Sequence, residues 1–178
     1  MIPTLETARL LIRPLSVDDA EALFPAYSDH EVMRYWSSAP HESLDDTRAY
    51  LGREADKDAW RGWAMTLKAD GSVIGTLYTG EGNSGVQEIG YLLVRRYWGQ
   101  GYAREGLSRL IDLLLIEEGH RRVAADTDPD NEGSNGLLRR LGFTLEGRLR
   151  AEWETHIGVR DSFIWGLLRE EWPGSAVV

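Results

Sequence analysis

The chain predicts an α/β (α+β) domain with about seven strands and about four helices, on three observations. Seven short segments carry strand patterns, three carry apolar residues at helical spacing with a fourth helix expected after Ser43, and three of the strands run consecutively into the longest helix. A length of 178 residues suits one domain with one substantial core, taken as residues 1–172, with a loosely held tail at 173–178.

The first strand candidate is ARLLIRPL, residues 8–15. Ser16 follows as a helix cap, with Ala20, Leu23, Phe24 and Tyr27 on one face of the helix behind it. A second helix is expected after Ser43. The aromatic, proline-bearing stretch 35–43 between the two helices reads as a loop, either walling a pocket or simply connecting them. Residues 62–67 and 73–79 read as antiparallel strands joined at Ala69-Asp70-Gly71-Ser72, because Asp-Gly is a strong hairpin signal.

A glycine-rich loop, 80–85, leads to a third strand at 86–94 and completes a meander. The long helix that follows carries Leu107, Leu110, Ile111, Leu114 and Leu115 at helical spacing. Residues 122–126 suit a short strand, 128–135 a turn dense in capping residues, and Leu137, Leu138 and Leu141 a short helix ended by Gly142. Strands at 143–150 and 161–168 close the chain, with 153–158 in the bend between them.

The chain has no cysteine, which excludes disulfides, thiolate metal sites and a cysteine nucleophile. His30, His41, His120 and His156 show no metal-ligand spacing, so no metal is expected. Twenty basic against 29 acidic residues give a formal charge of −9. That balance argues against nucleic acid and fits either cationic partners or an ordinary acidic, soluble surface. No stretch is long and apolar enough to span a membrane, and the start MIPTLETARLLIRPL lacks the features of a secretory signal, so a cytoplasmic location is expected.

The chemically informative segment is EIGYLLVRRYWGQGYAREGLSRLIDLLL, Glu88 to Leu115. Here a strand pattern passes through a glycine-bearing turn into a long amphipathic helix. Arg96, Gly99 and Gly101 leave the backbone open to close approach, and the helix aims its unpaired N–H groups and positive dipole end at the same point. An anionic cofactor is expected there. Gly80 and Gly82 have the same spacing but no helix behind them.

The element order, together with R-x-x-G-x-G at Arg96 to Gly101, resembles the GNAT acyl-CoA N-acyltransferases. EIGY at Glu88 to Tyr91, YWGQGYARE at Tyr97 to Glu105, N-x-x-S at Asn131 to Ser134 and LRRLGFTLEG at Leu138 to Gly147 are similar to the RimJ/RimL branch, which includes acetyltransferases of ribosomal-protein N-termini. The resemblance implies the GNAT fold, a central mixed, mostly antiparallel sheet of about seven strands flanked by about four helices. It also implies acetyl-CoA as cosubstrate. The backbone from Arg96 through Gly99, Gln100, Gly101, Tyr102 and Ala103 then holds the pyrophosphate, and the backbone of Leu92, Leu93 and Val94 pairs with the pantetheine arm. Asn131 corresponds to an asparagine that bonds that arm, with a helix cap as the alternative. Ser134 matches the hydroxyl that the family places near the thioester sulfur.

Acetyl transfer to an amine needs a neutral nitrogen, a stabilised oxyanion and a proton for the departing thiolate. Glu88 and Glu152 are the candidate bases, and the Leu93 N–H is the candidate oxyanion donor, which the family frees with a bulge. Trp36 and Trp153 fall in predicted loops expected to face each other across the acceptor entrance. The resemblance implies an amine acceptor, foremost an α-amine at a ribosomal or other protein N-terminus. A small amine such as an aminoglycoside, polyamine or amino acid is the alternative, as is a domain that binds acyl-CoA without turning it over. Monomer and homodimer, and longer acyl donors, are left open.

Overall fold

The computed structural model describes residues 2–55 and 60–176, so the last two residues of the expected tail lie outside the described residues. One eight-stranded sheet runs in the order β1-β2-β3-β4-β5-β6-β8-β7. Its strands are β1 (Leu5–Glu6), β2 (Leu10–Pro14), β3 (Trp60–Leu67), β4 (Val73–Glu81), β5 (Val86–Leu93), β6 (Arg122–Thr127), β7 (Thr144–Thr155) and β8 (Gly158–Leu168). All neighbours are antiparallel except β5 and β6. This is the expected mixed, mostly antiparallel sheet with one strand added: β1 is two residues long, too short for any periodicity to reveal it.

Helices α1 (Ala20–Tyr27) and α2 (Leu44–Ala55) pack on one face, and α3 (Tyr102–Ile111) and α4 (Glu132–Arg140) on the other. The N-terminal signals acted as their chemistry requires. The Ser16 hydroxyl accepts from the Asp18 N–H at 3.2 Å while Asp19 accepts from the Ser16 N–H at 2.9 Å, and Ser43 and Asp46 repeat that reciprocal arrangement before α2. The Asp-Gly hairpin turns through Gly71 at φ 78°, with the Ser72 N–H on Asp70 at 2.9 Å.

Sheet alternation decides what each face receives. β4 is buried over Val73–Gly80, between the two helical layers. Leu77, Ile89, Tyr91 and Leu93 face the α3/α4 core, whereas Tyr78, Gly90, Leu92 and Glu88 face the α1/α2 side. On α3, Leu107, Leu110 and Ile111 are fully buried, each contributing roughly 1.5–3 kcal/mol over exposure. The helix then widens into a π turn over Asp112–Glu117, which inserts a residue and lets Leu113, Leu114 and Leu115 all reach the core.

Two boundaries differ from the sequence reading. β7 runs on to Thr155 and β8 starts at Gly158, so the expected bend at 153–158 is a tight hairpin around His156 and Ile157. Trp153 therefore lies on a strand and not in a loop. Near the C-terminus, Asp112 accepts the Trp172 indole N–H at 2.7 Å and the Ser175 backbone N–H at 3.0 Å, which ties the start of the expected loose tail to α3. Among the described residues, no helix is long and apolar enough to cross a membrane.

Candidate active site

β5 and β6 pair in parallel only from Val86↔Arg122 to Glu88↔Ala124. Beyond that point β5 continues to Leu93 while β6 turns to follow β8. The sheet therefore opens a gap whose β5 wall carries unpaired backbone.

Which groups line that wall follows from hydrogen-bond alternation in an antiparallel pair. The Val94 N–H donates to Ile74 at 2.9 Å and the Gly82 N–H to Val86 at 3.2 Å, so the even-numbered residues of β5 aim their backbone at β4. Tyr91 and Leu93 consequently direct theirs into the gap. The Leu93 carbonyl is already taken by the Trp98 indole N–H at 2.8 Å, which leaves the Leu93 N–H as the open donor.

This corrects two expectations. Of Leu92, Leu93 and Val94, only Leu93 offers backbone to the gap, because the other two are spent on β4. The Leu93 N–H is free without a bulge in β5, whose register with β4 is unbroken from Gly75↔Leu93 to Glu81↔Gln87. The irregularity lies between β3 and β4, at Met65 and Thr66.

At the end of this wall the chain passes through a short 3₁₀ turn, Arg95–Tyr97, and reaches Gly99 and Gly101, at φ 72° and 82°. Gly101 is the N-cap of α3 and supplies no side-chain cap, so the first N–H groups of α3 remain available. A Cβ at Gly99 would meet nothing within 4 Å. The turn is braced from outside. Arg9 pairs with Glu105 at 2.6 Å and donates to the Gln100 carbonyl at 3.0 Å, and the Gln100 amide reaches the Arg96 carbonyl at 2.9 Å. The Arg9 guanidinium also lies 4.3 Å from the centre of the Tyr102 ring. A bare, held, positively polarised cradle of this kind fits a diphosphate.

Asn131 and Ser134 stand at the start of α4, the helix that follows β6. The Asn131 side-chain oxygen caps the helix by accepting from the Ser134 N–H at 3.2 Å. Its amide NH₂ makes no hydrogen bond among the described residues. Sequence reading missed the group that holds this turn in place, Asn135. It is 2 % exposed, donates to the Asp128 and Pro129 carbonyls at 3.1 Å, and accepts the Thr127 hydroxyl at 2.5 Å. Arg160 grips the same turn through Asp128 at 2.6 Å and a second bond to Asp130. Burial pushes the Asp128 carboxyl up, but the Arg160 bonds more than reverse this and hold it below the usual range.

Glu88 stands on the opposite, α1/α2 face where the gap begins. Burial raises its carboxyl above the ordinary value, and the charge of Asp126 raises it further. Asp126 lies on the same face two residues beyond Ala124, the partner of Glu88, and accepts the Trp153 indole N–H at 2.9 Å. It too was missed, because a carboxylate in a short strand carries no motif. Glu152 is exposed in a β7 bulge around Ala151 (φ 53°) and makes no hydrogen bond or ion pair among the described residues.

Trp36 and Trp153 have different bonding partners. Trp36 does lie in an irregular segment, donating to the Tyr50 hydroxyl at 3.3 Å with its ring against Tyr78. Trp153 reaches Asp126 from β7 and remains 53 % exposed.

Residues 9–144 match the model of the Acetyltransferase (GNAT) domain. The chain belongs to the GNAT acetyltransferase family. Enzymes of this family transfer an acetyl group from acetyl-CoA to an amine, so this chain is an acyltransferase of that kind. It is 31% identical over 176 residues to "Uncharacterized N-acetyltransferase p20" of Bacillus licheniformis, covering 96% of this chain and 99% of that one. Identity to "Putative ribosomal N-acetyltransferase YdaF" of Bacillus subtilis (strain 168) is 30%, over 93% of this chain and 94% of that one. The fold of this acetyltransferase is shared with spermidine N-acetyltransferase from Vibrio cholerae, solved in complex with CoA and spermine. That likeness has a TM-score of 0.79 and 20% identity, and covers 93% of this chain and 98% of the other.

Proposed function

We propose that this acetyltransferase acetylates the α-amine of a protein or peptide N-terminus, as a RimJ/RimL-like enzyme, by direct attack of the amine on the thioester. The observation that carries the proposal is the placement of two carboxylates, Glu88 and Asp126, on the α1/α2 face at the mouth of the gap. Bound acetyl-CoA supplies an acyl group activated by a thiol leaving group. The backbone of Arg96, Gly99, Gln100, Gly101, Tyr102 and Ala103 holds its diphosphate, the Asn131 amide bonds its arm, and the Leu93 N–H stabilises the oxyanion.

Glu88 takes the proton of the incoming nitrogen on one face of the sheet, and Ser134 gives a proton to sulfur on the other. An α-amine with a pKa of about 8 costs roughly 1 kcal/mol to deprotonate at pH 7, against nearly 5 for a lysine near 10.4. A single carboxylate with a raised pKa suits the first task better than the second. Similarity to YdaF and the acidic balance of the chain support the same reading.

Glu152, next to Trp153 on β7, is the second candidate base. Glu88→Gln is expected to lower kcat roughly ten- to a hundredfold and to abolish the acid limb of the kcat/KM profile. In the parent enzyme that limb falls above about 4.3, the ordinary glutamate value, because burial and Asp126 favour the protonated form. The same shift makes Glu88 a destabilising group as pH rises. The native state holds its proton longer than the unfolded chain does, so stability falls between the unfolded and folded pKa values. An unchanged acid limb in Glu88→Gln transfers the role to Glu152.

Trp153 and Trp36 are assigned to the acceptor side. Trp153→Phe keeps an aromatic ring but frees Asp126, and is expected to raise the acceptor KM severalfold without moving the acetyl-CoA KM. The deciding experiment is an acceptor screen followed by thiol release, with Ala- and Ser-starting peptides beside polyamines, aminoglycosides and amino acids. The polyamine arm is motivated by the spermine in the Vibrio cholerae complex. Turnover of small amines with none of the peptides replaces the N-terminal reading by a small-amine one.

A further inference from the structure

Tyr91 ends the EIGY run on β5, and none of the roles above uses its side chain. Its phenol oxygen is sealed from solvent and finds no partner in good hydrogen-bond geometry. Such an orphan costs about 1–3 kcal/mol, so a fold that keeps one places it where something else meets it. The ring lies on the α3/α4 face beside the gap, against the core to which α4 contributes Leu137 and Leu138. Ser134 is the neighbouring polar side chain, close enough to act on the acidity of the phenol. Burial nevertheless pushes the phenol up to about 12, so at neutral pH it keeps its proton and has it to offer.

Ser134 has the complementary deficiency. Its backbone N–H is fixed by the Asn131 cap, whereas its hydroxyl is left to the Tyr91 phenol beside it. A serine hydroxyl is a free rotor with one proton and two lone pairs. When a donor occupies a lone pair from the core side, the proton is left to point away from the core and into the gap.

We propose that Tyr91 is the positioning residue for Ser134: its phenol donates to Ser134 Oγ and thereby turns the serine proton toward the departing sulfur. The inference rests on the reading of Ser134 as the proton donor. In the transfer step Glu88 takes the nitrogen's proton as the nitrogen bonds to the carbonyl carbon. Ser134 gives its proton to the sulfur, which leaves with the electron pair of the broken carbon–sulfur bond. Glu88 then releases its proton to water while water returns one to the serine oxygen, so the exchange is neutral, and Tyr91 keeps its own proton throughout.

Tyr91→Phe deletes the oxygen and keeps the ring. It is expected to lower kcat about tenfold while the acetyl-CoA KM and the calorimetric affinity for CoA stay unchanged. The thermal midpoint should stay nearly level, because loss of one weak bond to Ser134 is offset by no longer burying a polar oxygen; a merely structural tyrosine gives a lower midpoint and an unaltered kcat. The double variant Y91F/S134A should be no slower than S134A alone, since the two groups act as one unit.

A wild-type kcat in Y91F with a slow S134A overturns the role of Tyr91 and leaves Ser134 standing, as do single effects that multiply in the double variant. A wild-type kcat in S134A removes the Ser134 reading and the Tyr91 role with it. A readout without turnover is the ¹³Cζ resonance of Tyr91 in tyrosine-labelled protein, assigned by its loss in Y91F. It should move in ligand-free S134A, and a resonance that stays in place overturns the proposal.

Discussion

Replacing Ser134 by alanine is expected to lower kcat by about ten- to a thousandfold, or about 1.4–4 kcal/mol of transition-state stabilisation, with acetyl-CoA affinity nearly unchanged. The structure makes this substitution a clean one. The Asn131 cap is made to the Ser134 backbone N–H, which alanine retains, so the helix start survives the loss of the hydroxyl. The turn is held independently by Asn135 and Arg160. What disappears is one O–H beside the gap. Steady-state thiol release and calorimetric titration with CoA separate the two effects, and equal turnover in the variant removes Ser134 from catalysis.

Gly101→Val is expected to act on the other half of the reaction, weakening CoA binding about tenfold or more before any change in chemistry is seen. Gly101 sits at φ 82°, where a β-branched residue is strained. A Cβ there would also come within 3.4 Å of Arg9 Nη2. Arg9 cannot easily give way, because Glu105 and the Gln100 carbonyl hold it. The backbone strain, with the added methyl groups beside Arg9, is expected to shift the turn whose bare N–H groups are assigned to the diphosphate. Gly99, with open space around its Cβ position, meets backbone strain alone, so a bulky residue there is predicted to do less harm to binding than at Gly101. A preserved affinity for CoA in Gly101→Val contradicts the placement of the diphosphate.

Much of this site was legible in local patterns because its parts are local. The strand, turn and helix from Glu88 to Leu115 announce themselves by periodicity and by glycines at Gly99 and Gly101. The caps at Ser16, Ser43 and Asn131 use side chains within three residues of the groups they bond. Trp153 was placed in a bend because the glycine at Gly158 and the polar run before it look like a loop; cross-strand pairing with Arg160 and Val159 carried β7 further. Trp36, in a truly irregular segment, was placed correctly as to element, but its partners are Tyr50 and Tyr78, 14 and 42 residues away in sequence.

The sequence by itself determined the family, the order of the elements from β2 onward and the glycines that leave the turn bare, since each is written in residues a short way apart. Only the tertiary structure decided that Leu93 is the residue whose N–H faces the gap, that Asp126 joins Glu88 on one face, and that the Tyr91 phenol is buried on the other. Those facts depend on strand register and on where β6 parts from β5, and register is set by long-range pairing that no local pattern contains.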